Sequence, residues 1–569
     1  MSEEFRKFPP TQLPSIGFDI PPASRFVLDN GLRVIVLEDR RFPMISLRLG
    51  FLRGEINDSG DTNGVMSAMA SQMTEGTSTH SSREIAELVD SVGGDLSVGA
   101  GYDNTVMRIS SLTKHFPKML DLGAEVLLDP IFPESELDLY RQNAIEGLKY
   151  QRSQPDFLAE EHLGKLIYGG HPYGINSPSE DDFRNLSREH LLDAYKRTII
   201  PSNAVLVAVG DISANELGME LNARFGGWEK ADVSDSSFPE IPNRSKRSMV
   251  IVDRPGSTQS NIVLSNLAMK RLNGDYFKFL VMNQVLGAGA SSRLFMNLRE
   301  EKGYTYGAYS RIYARRFAGN FEATSEVRTS VTGDALKEFF FELERIREES
   351  VPEQELADAI NYLSGVFPIK AETQGALLGL LTSQELHGLP EDYLLTYRDN
   401  VRGVSVADVQ EAARKYVRPD EMAIVIVGDA REVLAQVEAY CDDISIFNTE
   451  GEQMPVDDFV VVEGEPPAEF AGTYDLTVDA QGQELPLTLT LTQEGETASG
   501  NMDSAFGEGK LKTGIIQGKR ISATIESEFQ GQPFELTMNA AIENGELKGS
   551  LVIPMMGDPL QFKGARREA

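Results

Sequence analysis

The chain has one cysteine, Cys441, in 569 residues, which excludes an internal disulfide framework and any cysteine-rich zinc site. Histidine is nearly as scarce: His80, His115, His162, His171, His190 and His387 all lie far apart in sequence. Basic residues are outnumbered, 54 against 87 acidic, for a net charge of −33. That balance disfavours nucleic acid and anionic membrane surfaces as partners. It suits a solvated acidic surface, and equally a basic peptide or a basic partner subunit. Long apolar runs are missing as well. Charge or glycine breaks each one well short of the ~18–20 residues that a membrane-spanning helix needs, so no transmembrane segment is expected. Two catalytic signatures are also absent. There is no G-x-S-x-G nucleophile elbow. The glycine-rich Gly287-Ala288-Gly289-Ala290-Ser291-Ser292 lacks the P-loop lysine and follows a segment that reads as helix instead of strand. The opening residues lack the apolar core of a signal peptide. The chain as written therefore reads as cytoplasmic, and as periplasmic if a signal peptide has been removed.

What is present falls into several segments, as the length requires. Residues 1–23 are proline-rich and read as an extended arm. From 24 to 232, strands and helices alternate: strands at 46–51 and 104–111, helices at 63–73, 82–92, 135–152 and 156–167, and a closing strand at 204–209. Residues 233–247 form a polar, proline-bearing linker. From 248 to 445 the order repeats, with strands near 249–253, 261–267, 305–314 and 319–325. Helices are expected near 276–285, 293–301, 332–347, 353–365 and 405–416. The closing strands of the two segments, AVLVAVGD at Ala204–Asp211 and MAIVIVGD at Met422–Asp429, are near copies. This is direct sequence evidence for two homologous α/β halves. Residues 446–467 form an acidic linker. From 468 to 569 the texture changes to period-2 alternation broken by Gln-Gly, Asn-Gly and Gly-Lys turns, which predicts an all-antiparallel barrel or sandwich.

Residues 64–77, GVMSAMASQMTEGT, carry the most information. They resemble a helix of the pitrilysin/insulinase family of inverted-zincin metallopeptidases, which reads G-L-x-H-x-x-E-H-x-x-x-x-G-T. In that pattern two histidines at i and i+4 reach one zinc ion and the glutamate is the general base. Gly64, Gly76 and Thr77 fit the frame, but Ser67 and Ser71 stand in place of the histidines and Ala70 in place of the glutamate. The third ligand of the family, a glutamate on a later helix, falls at Gly147 within AIEGLKYQRSQPD, where Glu146, Lys149, Pro155 and Asp156 keep register. A shifted register could give the role to Glu146, which does not rescue a site without a histidine pair. Further marks are Asn30-Gly31-Leu32, His171-Pro172-Tyr173-Gly174, the stretch Val285–Leu294 (VLGAGASSRL) and the stretch Leu298–Gly307 (LREEKGYTYG). The likeness covers roughly residues 22–445.

The resemblance implies an α+β molecule. Two homologous α/β halves of LuxS/metallopeptidase-like fold would form a clam-shaped unit, with residues 468–569 as the appended β-domain. It also implies that Arg299 and Tyr306, in register with an arginine–tyrosine pair of the family, bind substrate at a zinc site in another half. The expectation is a non-catalytic subunit of a heterodimeric zinc metallopeptidase. This chain would hold no metal and have no independent activity, and zinc would sit in a homologous H-x-x-E-H-bearing partner that cleaves peptides. The alternative is a proteolytically inactive scaffold or peptide-binding protein of the same fold, with a homodimer among its forms. An enzyme with a new site in the β-domain has no residue cluster behind it. Glu160-Glu161-His162, the only tight acid–histidine cluster, reads as a solvent-facing helix. The glycine-rich strand near Leu96–Tyr102 offers a free edge for β-augmentation by a peptide.

Overall fold

The structure is a computed structural model. It describes residues 20–58, 62–233, 236–460, 466–480, 483–504, 507–529, 532–543, 545–552 and 560–567. The first half supplies β1 (Ser24–Val27), β2 (Arg33–Glu38), β3 (Met44–Phe51), β4 (Asp95–Ala100), β5 (Thr105–Leu112) and β6 (Ala204–Gly210). They form one sheet in the order β1-β2-β6-β3-β5-β4, with β2 and β6 parallel and β3 antiparallel to β6. The second half supplies β7 (Ser248–Asp253), β8 (Gln259–Leu267), β9 (Thr305–Ala314), β10 (Gly319–Arg328), β11 (Ala423–Gly428), β12 (Ile444–Phe447) and β13 (Gln453–Met454). Their order is β13-β12-β7-β11-β8-β10-β9. Leaving out β1, β12 and β13, both halves place their strands in the order first, fifth, second, fourth, third. The near-identical segments noted in the sequence are β6 and β11, which occupy the same place in each sheet.

That place explains their composition. Every residue of β6 is buried, and so is every residue of β11. A strand covered on both faces reads as a continuous apolar run instead of an alternation. In the first sheet the period-2 geometry still sorts side chains by face. Val34, Val36, Leu206 and Ala208 join a core with Met69, Leu120 and Phe132. Ile35, Leu37, Val205, Val207 and Val209 point the other way, onto Phe367, Leu377, Leu378 and Leu381. Those four lie on the helices Glu353–Lys370 and Gln374–Leu386 of the second half. The halves are thus interlocked through one face of the first sheet. By contact density most of both falls in one compact unit (to Met249, Asn261–Val327 and Asp334–Val425), with Val250–Ser260, Arg328–Gly333 and Ile426 onward forming a second.

The expected β-domain is a closed barrel. Its strands are β14 (Gly472–Ala480), β15 (Gln483–Glu494), β16 (Thr497–Ser504), β17 (Gly507–Gln517), β18 (Arg520–Phe529), β19 (Gln532–Glu543), β20 (Glu546–Val552) and β21 (Leu560–Arg566). Each pairs antiparallel with the next, and β14 pairs with β21 to close the ring. Leu487, Leu489 and Leu491 point inward, while Thr488 is half-buried and Thr490 and Thr492 are exposed. The Gly518-Lys519 turn joins β17 to β18, with Gln517 opposite Arg520 and Gly518 at φ 54°. The Gln530-Gly531 turn and Asn544 lie outside the described residues, as do residues 1–19 of the expected arm. Residues 446–467, read as a linker, contain the end of β12, β13 and a 3-10 turn at Val456–Phe459 that buries Phe459.

Candidate functional site

The informative helix spans Val65–Gln72. Gly64 precedes it at φ 82°, a conformation that costs an L side chain dearly and glycine nothing. Val65, Met66, Ala68, Met69 and Ala70 are buried, which leaves Ser67 and Ser71 half-buried on one face, four residues apart. Both hydroxyls are engaged. Ser67 Oγ donates to Glu55 Oε1 at 2.5 Å, and Ser71 Oγ donates back to the Ala68 carbonyl at 3.1 Å. Asp58 accepts from the backbone N–H of Gly64 at 2.8 Å and of Met66 at 3.0 Å, satisfying donors at the helix start. Burial pushes the Asp58 carboxyl up to about 7 against those hydrogen bonds, and the neighbouring Glu55 charge adds to the rise. Burial also raises Glu55, although the Ser67 hydrogen bond opposes it.

Gly147 lies on the helix Glu134–Arg152, which packs against the Val65–Gln72 helix. Tyr140, on the same helix, is pushed up to about 12 by burial and by the charges of Glu55 and Asp58. Gly147 is exposed, and a Cβ placed there would meet nothing within 4 Å. Glu146 points to solvent and pairs with Lys149 at 3.1 Å. The four positions Ser67, Ala70, Ser71 and Gly147 therefore offer two engaged hydroxyls, a buried methyl and a bare backbone. Among the described residues, no group of three or more His, Cys, Asp or Glu side chains is placed to hold a metal ion.

Arg299 and Tyr306 lie on the second half. The helix beginning at Arg293 turns into a π-helix over Met296–Glu301, and Arg299 is on that turn. Its side chain is 45% exposed, with Nε 3.5 Å from Glu300 Oε1 and the guanidinium 4.8 Å from the Phe295 ring centre. Tyr306 is on β9, an edge strand of its sheet, and is 88% exposed. An exposed phenol and a half-exposed guanidinium are open to a ligand. β4, the glycine-rich strand singled out in the sequence, is likewise an edge strand.

The acid–histidine cluster corrects an expectation. The helix Pro155–Tyr168 buries Leu158, Ala159, His162, Leu163 and Ile167, so His162 faces the interior instead of solvent. Burial drives its imidazole down to about 4. Glu161 pairs with Arg152 at 3.0 Å, and Glu160 lines a cavity of about 230 Å³. Sequence reasoning missed this cavity. Its centre is Arg315, whose guanidinium lies 4.5 Å from the Tyr102 ring centre, 4.9 Å from Tyr173, 5.5 Å from Tyr168 and 5.9 Å from Tyr313. Burial and the charge of Glu160 push Glu322 up to about 7, opposed by Arg311 and Arg315. Tyr168 donates to Asn320 at 2.9 Å, the Arg316 backbone N–H donates to Asp103 at 2.9 Å, and the Tyr173 hydroxyl also binds Asp103. These bonds, and the Arg315 guanidinium against three tyrosine rings of the first half, join the two halves. The signal was present in His171-Pro172-Tyr173-Gly174, which in sequence stood only as a family mark.

Comparison with known proteins gives these features a family. Residues 33–177 match the insulinase (peptidase family M16) domain, and residues 185–363 match the peptidase M16 inactive domain. An uncharacterized zinc protease of Streptomyces coelicolor is 24% identical over 369 residues, 64% of this chain and 80% of its own. A protein of Helicobacter pylori named as a non-peptidase homolog is 20% identical over 409 residues, 70% of this chain and 92% of its own. The crystal structure of a peptidase M16 inactive domain from Pseudomonas fluorescens shares the fold with a TM-score of 0.67 at 27% identity, covering 71% of this chain and 98% of that one. Two matched domains, the duplicated strand order and relatives aligned across both halves make this chain a member of the peptidase M16 (insulinase) family, carrying its N-terminal domain followed by its inactive C-terminal domain.

Proposed function

We propose that this chain is the non-catalytic subunit of a two-subunit zinc peptidase, supplying Arg299, Tyr306 and peptide-binding wall to an H-x-x-E-H-bearing partner. One contrast carries the reading. The ligand positions of the family are chemically empty at Ser67, Ala70, Ser71 and Gly147, while Arg299 and Tyr306 are intact and open to solvent. A zinc ion needs deprotonated or imidazole donors, and these positions do not fit one. The partner's zinc would polarise the scissile carbonyl and activate water. Hydrolysis then builds negative charge on the carbonyl oxygen, and the Tyr306 hydroxyl would donate to it. Arg299, permanently charged, would donate to a carbonyl or acidic group of the bound peptide. The test is native mass spectrometry with metal analysis of the complex drawn from its own cells. The expected species pairs this chain with a homologous H-x-x-E-H subunit and one zinc ion. Stoichiometric zinc and peptide cleavage by this chain alone would refute the proposal.

A second reading is a peptide-binding or scaffold protein without proteolysis, homodimeric forms included. The observation that favours it is the Helicobacter pylori relative named as a non-peptidase homolog. Isolation of this chain without a zinc-bearing companion, but with peptide binding retained, would select that reading.

A further inference from the structure

The cavity of about 230 Å³ beside Arg315 takes a carboxylate from each half of the molecule. Glu160 enters from the helix Pro155–Tyr168 and keeps contact with solvent. Glu322 enters from β10 and is only 8% exposed. Tyr102, Tyr168, Tyr173 and Tyr313 form much of the remaining wall. Pockets for drug-sized ligands run from about 300 to 1,000 Å³, so this one suits a single small group or side chain.

Glu322 is under-compensated where it stands. Arg311 lies directly opposite it in the β9–β10 register, yet is held by the Tyr313 hydroxyl. Arg315 is engaged with its tyrosine rings. Among the described residues, neither arginine forms an ion pair with Glu322 or Glu160, and both act on them from a distance. Asn320, two residues away, is the one hydrogen-bonding neighbour of Glu322 and also donates to Ser265 at 3.0 Å. Burial and Glu160 outweigh the two arginines, which is why the Glu322 carboxyl rises. Glu160 rises as well, through burial and through Asp156. Three carboxylates, Asp156, Glu160 and Glu322, thus face two arginines. A buried carboxylate with no cation in contact keeps a proton or takes up a cation.

We propose that this cavity binds a primary ammonium group, carried by a lysine side chain of a peptide or by a small free amine. The ammonium would donate to Glu322 and Glu160, and its alkyl stem would lie against the tyrosine rings. A compact ammonium suits the space better than a guanidinium, because the rings already hold that of Arg315. The two carboxylates exclude an anion. Where Glu322 carries a proton, the ammonium replaces it and the proton leaves to solvent. The site is built by this chain alone, so it does not rest on the proposed partner subunit, and its failure would leave the reading of Arg299 and Tyr306 untouched.

Binding should therefore strengthen as pH rises. With a carboxyl at about 7, Glu322 is about a tenth ionised at pH 6 and about nine tenths at pH 8, a roughly tenfold gain in affinity. Glu160 acts in the same sense. The four tyrosines are raised by burial and stay neutral. His171, against the Tyr168 and Tyr173 rings, is lowered by burial, away from this window. Arg311 and Arg315 stay charged throughout.

The probes are Nα-acetyl-lysine N-methylamide and n-butylammonium, titrated by ligand-observed NMR into the full-length chain at pH 6 and pH 8. The Nε-acetylated, uncharged lysine derivative is the control. Millimolar binding is expected at pH 8, about tenfold weaker at pH 6, with the uncharged control at least about tenfold weaker than the amine. Tighter binding of the lysine derivative than of butylammonium would assign the site to a peptide side chain, and equal binding to the ammonium alone. The net charge of −33 attracts cations all over the surface, so Glu322→Gln is the decisive variant. It keeps the shape and removes the charge, and should weaken the amine about tenfold at pH 8 and abolish the pH dependence, while thermal melting shows the fold intact. Glu160→Gln, at a solvent-contacting position, should weaken binding as well. No binding of either amine, an uncharged control that binds as well, or wild-type affinity at pH 8 in folded Glu322→Gln would each overturn the proposal.

Discussion

The Tyr306 hydroxyl is the single group whose removal tests the proposed chemistry with the least structural disturbance. The ring is 88% exposed, so Tyr306→Phe leaves packing unchanged. In the assembled complex it should lower kcat by roughly 10²–10³-fold with little change in KM, as for loss of one oxyanion donor. Arg299→Ala should raise KM as well as lower kcat, because a charge-assisted contact to substrate is lost. Steady-state kinetics with a fluorogenic peptide decides both, and wild-type rates for Tyr306→Phe would move the reading to a scaffold. A second residue tests electrostatics in the tyrosine-walled cavity. Glu322 is raised from the usual carboxylate value to about 7 by burial and by Glu160. A raised carboxyl contributes stability that is complete below its unfolded pKa of about 4.5 and is lost as pH rises through 7. Glu322→Gln should therefore gain stability over wild type at pH 8 by about 2 kcal/mol more than at pH 5. Chemical denaturation at the two pH values reads this, and an unchanged difference would show that the fixed charges of Arg311 and Arg315 hold Glu322 ionised across the range despite its burial. At this scale the sequence exposed the motif positions, because spacing along one helix is written in the chain. It hid Arg315 and its four rings, which come from segments far apart in sequence.

Among the elements, the Val65–Gln72 helix can be asked whether its frame still fits a metal. The variant Ser67→His, Ala70→Glu, Ser71→His, Gly147→Glu offers three protein ligands and an open position. Two features of the structure favour it. The space beside Gly147 is empty, and Glu55, now bonded to Ser67, stands where a carboxylate can orient an imidazole at that position. Ala70 is fully buried, so its replacement costs packing and the variant should melt below wild type without metal. Zinc should then raise its melting temperature, by about 2.7 kcal/mol of stabilisation at a hundredfold excess over Kd. Metal analysis after dialysis is the second readout. A folded variant that takes up no zinc would mean that the register on which the argument rests is wrong. The strands were legible because alternation or an unbroken apolar run marks them, and β6 and β11 announced the duplication. The helix Gln374–Leu386 was not. It buries Leu377, Leu378, Leu381 and Leu386 together with Gln374, Thr382 and Gln384, so no clean polar face sets it off. It is buried this way because it covers a face of the other half's sheet, a partner that local periodicity cannot name.

For the whole molecule the question is how much of it stands without the barrel. β14–β21 satisfy one another's backbone hydrogen bonds around a full ring, which leaves no strand edge in need of cover. Among the described residues, the barrel core draws only on those from Ala468 to Phe562, with Phe470, Leu489, Ile521, Ile525 and Leu547 fully buried inside it. The sequence left barrel and sandwich open because both show the same alternation, and only the β14–β21 pairing separates them. Within the second unit, Arg520 lies over the Phe459 ring at 5.7 Å, and Phe459 is 3% exposed. A chain ending at Val460 loses that cover. Exposing one phenylalanine costs at most about 3 kcal/mol. The two α/β sheets should therefore still fold cooperatively, with a main transition lowered by a few degrees at most, and residues 466–569 expressed alone should melt as a separate β-rich unit. Scanning calorimetry of the full chain and both fragments tests this. If the shortened chain is molten or insoluble, or the isolated barrel fails to melt cooperatively, then the second unit, which joins Ile426 onward to Val250–Ser260 and Arg328–Gly333, folds only as a whole. Phe459→Ala in the intact chain separates these outcomes. It removes the same ring without removing the barrel, so a loss equal to that of truncation would assign the whole effect to one side chain.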